Sequence, residues 1–167
     1  LLSRKFGSFL ALGGIITDAE LNHNVKEEFN RCRTCDKCQI ACPVNAIDQP
    51  YVLDRNKCIS NLLQEENLPK NIHCHLENRI VDCEICQDAC PWNKKHIDNP
   101  IATHVTKSFK NKIKDWEKFF YLPKLIKLTE NEYKNKLEYL NTGIPYKIFH
   151  RNVAIALERA KNNDEET

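Results

Sequence analysis

Two short runs of cysteine carry the reactive side chains of this sequence. The first, Cys32-x2-Cys35-x2-Cys38-x3-Cys42-Pro43, is a tight series of four thiols. The second, CEICQDACPWN at 83–93, has the same C-x2-C-x3-C-P ending with only three. Thiols two or three residues apart on a tight turn rarely meet disulfide geometry, but they converge easily on one metal centre. Three thiolates at such spacing wrap one corner of a [4Fe–4S] cubane, and the turn before proline carries the fourth away from it to the other cluster. Two plainer readings compete, a zinc site and a coincidence of buried cysteines. Zinc ligands usually come as two separated pairs, not as a run of four closing on proline.

The two runs are copies of one unit. CDKCQIACPVN (35–45) and CEICQDACPWN (83–93) are identical at seven of eleven positions, four of them besides the cysteines. Bacterial two-cluster ferredoxins are built from such duplicated halves. The second copy lacks its first cysteine, and the position aligned with Cys32 is Ile80. With the fourth cysteines crossing over, one cluster has Cys32, Cys35, Cys38 and Cys90. The other has Cys42, Cys83 and Cys86 and needs one more ligand, for which Cys58 and Cys74 are the candidates. Cys58 sits in LDRNKCISNLL, where an apolar stretch can bury it; Cys74 sits in IHCHLEN between His73 and His75. Spacing leans toward Cys58 and leaves the choice open.

The elements around these runs fall into three regions. Residues 1–30 hold FLALGGII, read as a strand or hairpin bent at Gly13–Gly14, then a short polar helix, DAELNHNVKEEF. Residues 31–100 contain every cysteine and five of the seven prolines, as expected of a loop-rich domain held by metal. Beyond 101 helical periodicity takes over. LTENEYKNKLEYL opens with a capping box, Thr129 and Glu132, and aligns Tyr133, Leu137 and Leu140 on one face, with Gly143 and Pro145 ending it. HRNVAIALERAKNN spaces Val153, Ala156, Leu157 and Ala160 as a second amphipathic helix. Such an αα-hairpin must pack on the cysteine domain or begin a helical repeat. The chain of 167 residues is therefore expected to be α+β, a two-[4Fe–4S] ferredoxin-like domain followed by a helical segment.

The net charge of +2 points to no particular partner. An odd number of tightly spaced cysteines fits a reducing, cytoplasmic compartment better than a disulfide framework. RKFGSFLALGGIIT imitates a signal peptide, but it is too short and too Gly-interrupted to span a membrane, and no A-x-A site follows. The sequence has no methionine, even at position 1, and is expected to be a piece of a longer polypeptide.

GSFLALGGIITD, the double cysteine run, CPVNAIDQPYVLDRNKCIS, RIVDCEICQDACPWN and RNVAIAL together resemble epoxyqueuosine reductase. That family is cobalamin-dependent, carries two [4Fe–4S] clusters and reduces epoxyqueuosine to queuosine in tRNA. The resemblance covers nearly the whole chain and implies three parts. Residues 1–30 would be the tail end of a cobalamin-binding domain plus a connecting helix, 31–100 a dicluster domain, and 101–167 a HEAT-like segment. It assigns Cys32, Cys35, Cys38 and Cys90 to one cluster and Cys42, Cys58, Cys83 and Cys86 to the other, leaving Cys74 spare. Cobalamin would lie against Gly13 and against the turn at Cys83 and Glu84. The family's catalytic acid belongs to an N-terminal domain almost wholly outside this chain, so the catalytic residue is unknown here. ISNLLQEE also departs from the family, with Asn61 where an aromatic usually sits.

The implied partners are the anticodon stem-loop of a queuosine-family tRNA and an external low-potential electron donor, with no membrane and a monomeric state. The segment 107–127 has seven lysines interleaved with Phe109, Trp116, Phe119, Phe120 and Tyr121, which suits an RNA backbone; a solvated helix with its aromatics in the core is the bland alternative. A freestanding dicluster electron carrier needs neither this segment nor the αα-hairpin. A reductive dehalogenase-like enzyme shares the cofactors but goes with an export signal.

Overall fold

The computed structural model describes residues 2–21, 29–98, 107, 111, 120–137 and 143–165. Its helices within the cysteine region are short, of one or two turns. They are α1 (Lys37–Ala41), α2 (Ile59–Leu62), a 3-10 helix (Lys70–His75), α3 (Ile85–Asp88) and α4 (Lys94–Ile97). Beyond that region a further short turn, α5 (Leu122–Leu125), leads into the longer α6 (Glu130–Leu137) and α7 (Tyr146–Glu165). Among the described residues, strand pairing is limited to two isolated bridges, Ser3 with Gly7 and Gln49 with Val52.

The β part of the α+β expectation is therefore corrected to these bridges, and FLALGGII is neither strand nor hairpin. Leu12, Ile15 and Ile16 are exposed by 76%, 93% and 103%. An apolar run becomes a strand only with a partner edge to pair its backbone, and the described residues offer this one none. The polar helix expected at DAELNHNVKEEF lies mostly outside the described residues, as does most of the segment 107–127. Within that segment Phe120 and Tyr121 are exposed, so these two aromatics are not in the core.

Two apolar clusters form the core. Ile59, Leu63, Ile72 and Leu76 close the cysteine region, with Val44, Cys83 and Ile155 packed around them. Leu125, Leu128, Tyr133, Leu137, Ile144, Ile148, Phe149 and Val153 form the other, against which Ile80 and Val81 pack. Helix α7 thus serves both clusters and docks the αα-hairpin on the cysteine region. Its buried face is Ile148, Phe149, Asn152, Val153 and Ala156. Leu157 is only half-buried and Ala160 is exposed, so the face expected from periodicity is rotated toward the helix start. The reason is that α7 begins at Tyr146, earlier than HRNVAIALERAKNN, and places a polar residue at the centre of its face.

The capping box forms as its sequence requires. Glu132 N–H donates to Thr129 Oγ1 at 3.3 Å, and Thr129 N–H donates back to Glu132 Oε2 at 3.0 Å. Tyr133 and Leu137 are buried as expected, while Leu140 lies outside the described residues. Gly143, at φ +64°, turns the chain toward α7, a conformation glycine adopts without steric cost. Tyr133 Oη donates to Ile144 O and Tyr146 Oη to Leu128 O, closing the hairpin with satisfied hydroxyls.

Candidate metal centre

The sequence repeat is also a repeat of backbone geometry. Asp36 before α1 has φ −117°, ψ 9°, and Glu84 before α3 has φ −116°, ψ 11°. Gln39 and Ile40 N–H donate to Asp36 O, as Gln87 and Asp88 N–H donate to Glu84 O. Cys42 N–H donates to Gln39 O and Asn45 N–H to Cys42 O; Cys90 N–H donates to Gln87 O and Asn93 N–H to Cys90 O. Both halves therefore lift their first thiols off the N-terminal side of one helical turn and send the last one beyond it. Helices α1 and α3 pack against each other, which brings the two runs together.

The thiols sort into two neighbourhoods. Cys32, Cys38 and Cys90 line a cavity of about 540 Å³, and Cys35 and Cys32 lie close enough to Cys38 to oppose its ionisation. Cys83 feels Cys58 and Cys42. Cys86 feels Cys83, Cys58, Cys38 and Cys42, and it also reaches the first cavity. Burial pushes the Cys38 and Cys83 thiols up, and it pushes Cys86, with help from its neighbours, to about 11. Thiols held this way keep their protons until a metal displaces them. All nine cysteines are free.

Cys74 stands apart. It is exposed in the 3-10 helix, with its Sγ 3.2 Å from Asn71 O. Cys58 forms the N-cap of α2 beside the buried Ile59, with its N–H donating to Asp54 O and Arg55 O. Among the described residues no group of three or more His, Cys, Asp or Glu is gathered to hold a single metal ion. A cubane holds its thiolates at separate corners, and a donor set made of soft thiols suits iron–sulfur clusters.

Positive charge and backbone donors surround the runs, as bound clusters of negative net charge require. The Arg31 guanidinium lies 5.6 Å from the centre of the Trp92 ring and that of Arg33 lies 4.5 Å from Phe29. Ala46 N–H donates to Cys42 Sγ at 3.2 Å. Arg33 and Asn45 take positive φ, 45° and 49°, which lets the first run reverse within a few residues.

Gly13 lies in the exposed stretch, and a Cβ built on it would meet nothing within 4 Å. Glu84 sits at the start of α3 with its carboxyl pushed up by burial and then by Asp88 and Asp82. Asn61, the departure from the expected aromatic, accepts from Arg55 Nε and donates to Glu65.

Two polar latches support the site that the sequence reading had not singled out. Asn93, fully buried, accepts from Ser8 N–H and donates to Ser8 Oγ and Gln87 O, each at 2.7 Å. Ser3–Gly7 thereby sits on the CPWN turn, with Lys95 Nζ donating to Arg4 O and His96 Nε2 2.9 Å from Lys5 O. The repeat of Asn45 as Asn93 was the available signal, yet Asn45 itself is exposed. The other latch is the pair Arg151–Asn152, visible in sequence only as two polar residues inside an apolar helix pattern.

Paired cysteine turns of this form suit iron–sulfur binding, and residues 31–93 match the 4Fe-4S double cluster binding domain family. The chain is similar to epoxyqueuosine reductases in both sequence and fold. It is 43% identical over 98 residues to the epoxyqueuosine reductase of Synechocystis sp., covering 57% of this chain and 34% of that protein. The solved epoxyqueuosine reductase of Streptococcus thermophilus superposes with a TM-score of 0.75 at 24% identity, covering 94% of this chain and 40% of the other. A crystal structure of epoxyqueuosine reductase with an epoxyqueuosine-modified tRNA-Tyr stem loop gives 0.62 at 28% identity, covering 75% and 32%. The chain spans about a third of the length of the curated relatives it matches. Among the described residues no helix is long and apolar enough to cross a membrane.

Proposed function

We propose that this chain is the iron–sulfur electron-transfer portion of an epoxyqueuosine reductase. In this reading Cys32, Cys35, Cys38 and Cys90 hold one [4Fe–4S] cluster, Cys42, Cys58, Cys83 and Cys86 hold the other, and Cys74 holds neither. The observation that supports it is the doubled turn, which brings Cys86 and Cys90 to one cavity with Cys32 and Cys38 and sets Cys42 close to Cys83 and Cys86. The chain's own part is to fix the thiols, shield them partly from water and offset their charge with Arg31, Arg33 and backbone donors.

Residues 1–30 are assigned to the end of a cobalamin-binding domain with its connecting helix, 31–100 to the dicluster domain and 101–167 to a HEAT-like segment. Gly13 and the turn at Cys83–Glu84 would face the cobalamin; an exposed apolar run beside side-chain-free glycines suits a broad macrocycle. Bound clusters supply one-electron transfer, and cobalamin supplies the reductive chemistry on epoxyqueuosine. The partner is a tRNA stem loop, by likeness to the solved relative that carries one, with the lysines of 107–127 as its basic surface. An external low-potential donor, a cytoplasmic setting and a monomeric state complete the proposal.

Anaerobic reconstitution tests the core of this reading: about eight irons and about eight sulfides per chain are expected. Zinc uptake without labile sulfide refutes it. Conversion of an epoxyqueuosine-containing stem loop by the longest natural form of the protein, with cobalamin and a chemical reductant, tests the activity; cluster-loaded protein that never converts it leaves a carrier instead.

A further inference from the structure

Asn152 is fully buried on α7, and its carboxamide joins two segments far from it in sequence. Nδ2 donates to Leu63 O and to Ile80 O, both at 2.9 Å. Oδ1 accepts from Arg151 Nε at 3.0 Å and from Arg151 Nη2 at 2.9 Å. The remaining guanidinium protons go to Glu65 O at 2.7 Å, Glu66 O at 2.6 Å and Leu63 O at 3.3 Å. All five donors of the arginine and both of the carboxamide are therefore satisfied. A helix packed for burial alone would put an apolar residue here, because a buried amide costs free energy unless every group is matched.

What the pair holds is the ligand supply of one centre. Leu63 closes the turn that Cys58 opens, through Leu62 N–H to Cys58 O and Leu63 N–H to Ile59 O. Ile80 lies three residues ahead of Cys83, and Ser60 Oγ donates to Asp82 Oδ1 at 2.7 Å between the same two segments. Ile80 also occupies the position at which the repeat would place its missing first cysteine. Asn152 takes the carbonyl of that very residue and ties it to the turn that bears Cys58.

We propose that Asn152 is a positioning residue for the second centre, holding the substitute ligand Cys58 against the run that lacks its own first cysteine. The inference rests on the two-cluster reading above. Asn152→Asp keeps the shape and the acceptor for Arg151, but it turns an oxygen toward two carbonyls and removes both donors. Arg151→Lys is the milder second variant, preserving charge without the fork.

The whole chain is reconstituted anaerobically, and iron, sulfide, the EPR spectrum after reduction and cluster release to a chelator are followed. The cluster lost in Cys58→Ala should leave N152D faster by on the order of tenfold or more, as when groups behind metal ligands are removed, while the other cluster keeps its wild-type rate. R151K should move the same cluster by less, and C58A/N152D should behave as C58A alone. Wild-type release from N152D overturns the inference, and so does an equal acceleration of both clusters, which marks general loosening. A wild-type chain that takes up no cluster overturns the underlying reading instead, and this one with it.

Discussion

Replacing glycine by alanine at three positions separates backbone strain from the Asn93 latch. Gly7 has φ +65°, and a Cβ there would lie 2.0 Å from Asn93 Oδ1 and 2.9 Å from Trp92 O. Gly143 has nearly the same φ, +64°, with nothing within 4 Å, and Gly13 has neither the left-handed φ nor a neighbour. Gly143→Ala therefore measures the left-handed backbone alone, about 1–2 kcal/mol. Gly7→Ala adds the displacement of Asn93, whose Oδ1 accepts Ser8 N–H and whose Nδ2 serves Ser8 Oγ and Gln87 O. Leaving one or two such buried groups unmatched adds roughly 2–4 kcal/mol, for a total of about 3–6 kcal/mol. Gly13→Ala should stay within about 0.5 kcal/mol of wild type, as open surface sites do. Anaerobic urea titrations of the reconstituted protein, followed by far-UV ellipticity and by visible cluster absorption, give the three midpoints. Equal midpoints for G7A and G143A would refute the argument, since the two variants differ only in what the new methyl meets.

The cysteines give the sharpest further outcomes. Cys58→Ala should retain about four irons per chain and Cys74→Ala about eight, and C90A should lose the same cluster as C32A, not the one lost in C83A; iron analysis with EPR decides both. Leu63, wholly buried beneath Cys58's turn, should cost about 2–5 kcal/mol on truncation to alanine, read in the same urea titration. Hydrogen bonds from the Thr129 N–H and then its hydroxyl hold the Glu132 carboxyl below its ordinary 4.5. A lowered folded pKa contributes stability above the ordinary value and loses it as pH falls through the lowered one. E132Q should therefore show a flatter acid-side dependence of melting temperature than wild type between about pH 6 and about pH 3.

Features written in local spacing were readable from the chain. Each cysteine turn and the Thr129–Glu132 capping box act within a few residues, the turns through backbone hydrogen bonds and the box through bonds between backbone and side chain. FLALGGII has the pattern of a strand without forming one, because a strand is defined by its partner, which an apolar pattern does not contain. Helix α7 is legible over most of its length, yet its buried face is rotated from the one periodicity gives, because a buried asparagine looks like solvent-facing polarity in any periodicity count. The residues Asn93 and Asn152 leave a local mark, but their partners do not: Asn93 meets Ser8 across a sequence separation of 85 and Asn152 meets Leu63 across 89. Spacing leans toward Cys58, while its nearness to Cys83 and Cys86 is set by tertiary packing.

The ties from Asn152 span 89 and 72 residues, to Leu63 and Ile80. During synthesis the ribosome has released both segments well before α7 exists, and contacts of such long range form late. The first cysteine run, whose turn closes within its own residues, can adopt its shape on the nascent chain. The Cys58 turn waits for a helix translated after it, so this turn and the first cysteine run mature on different clocks.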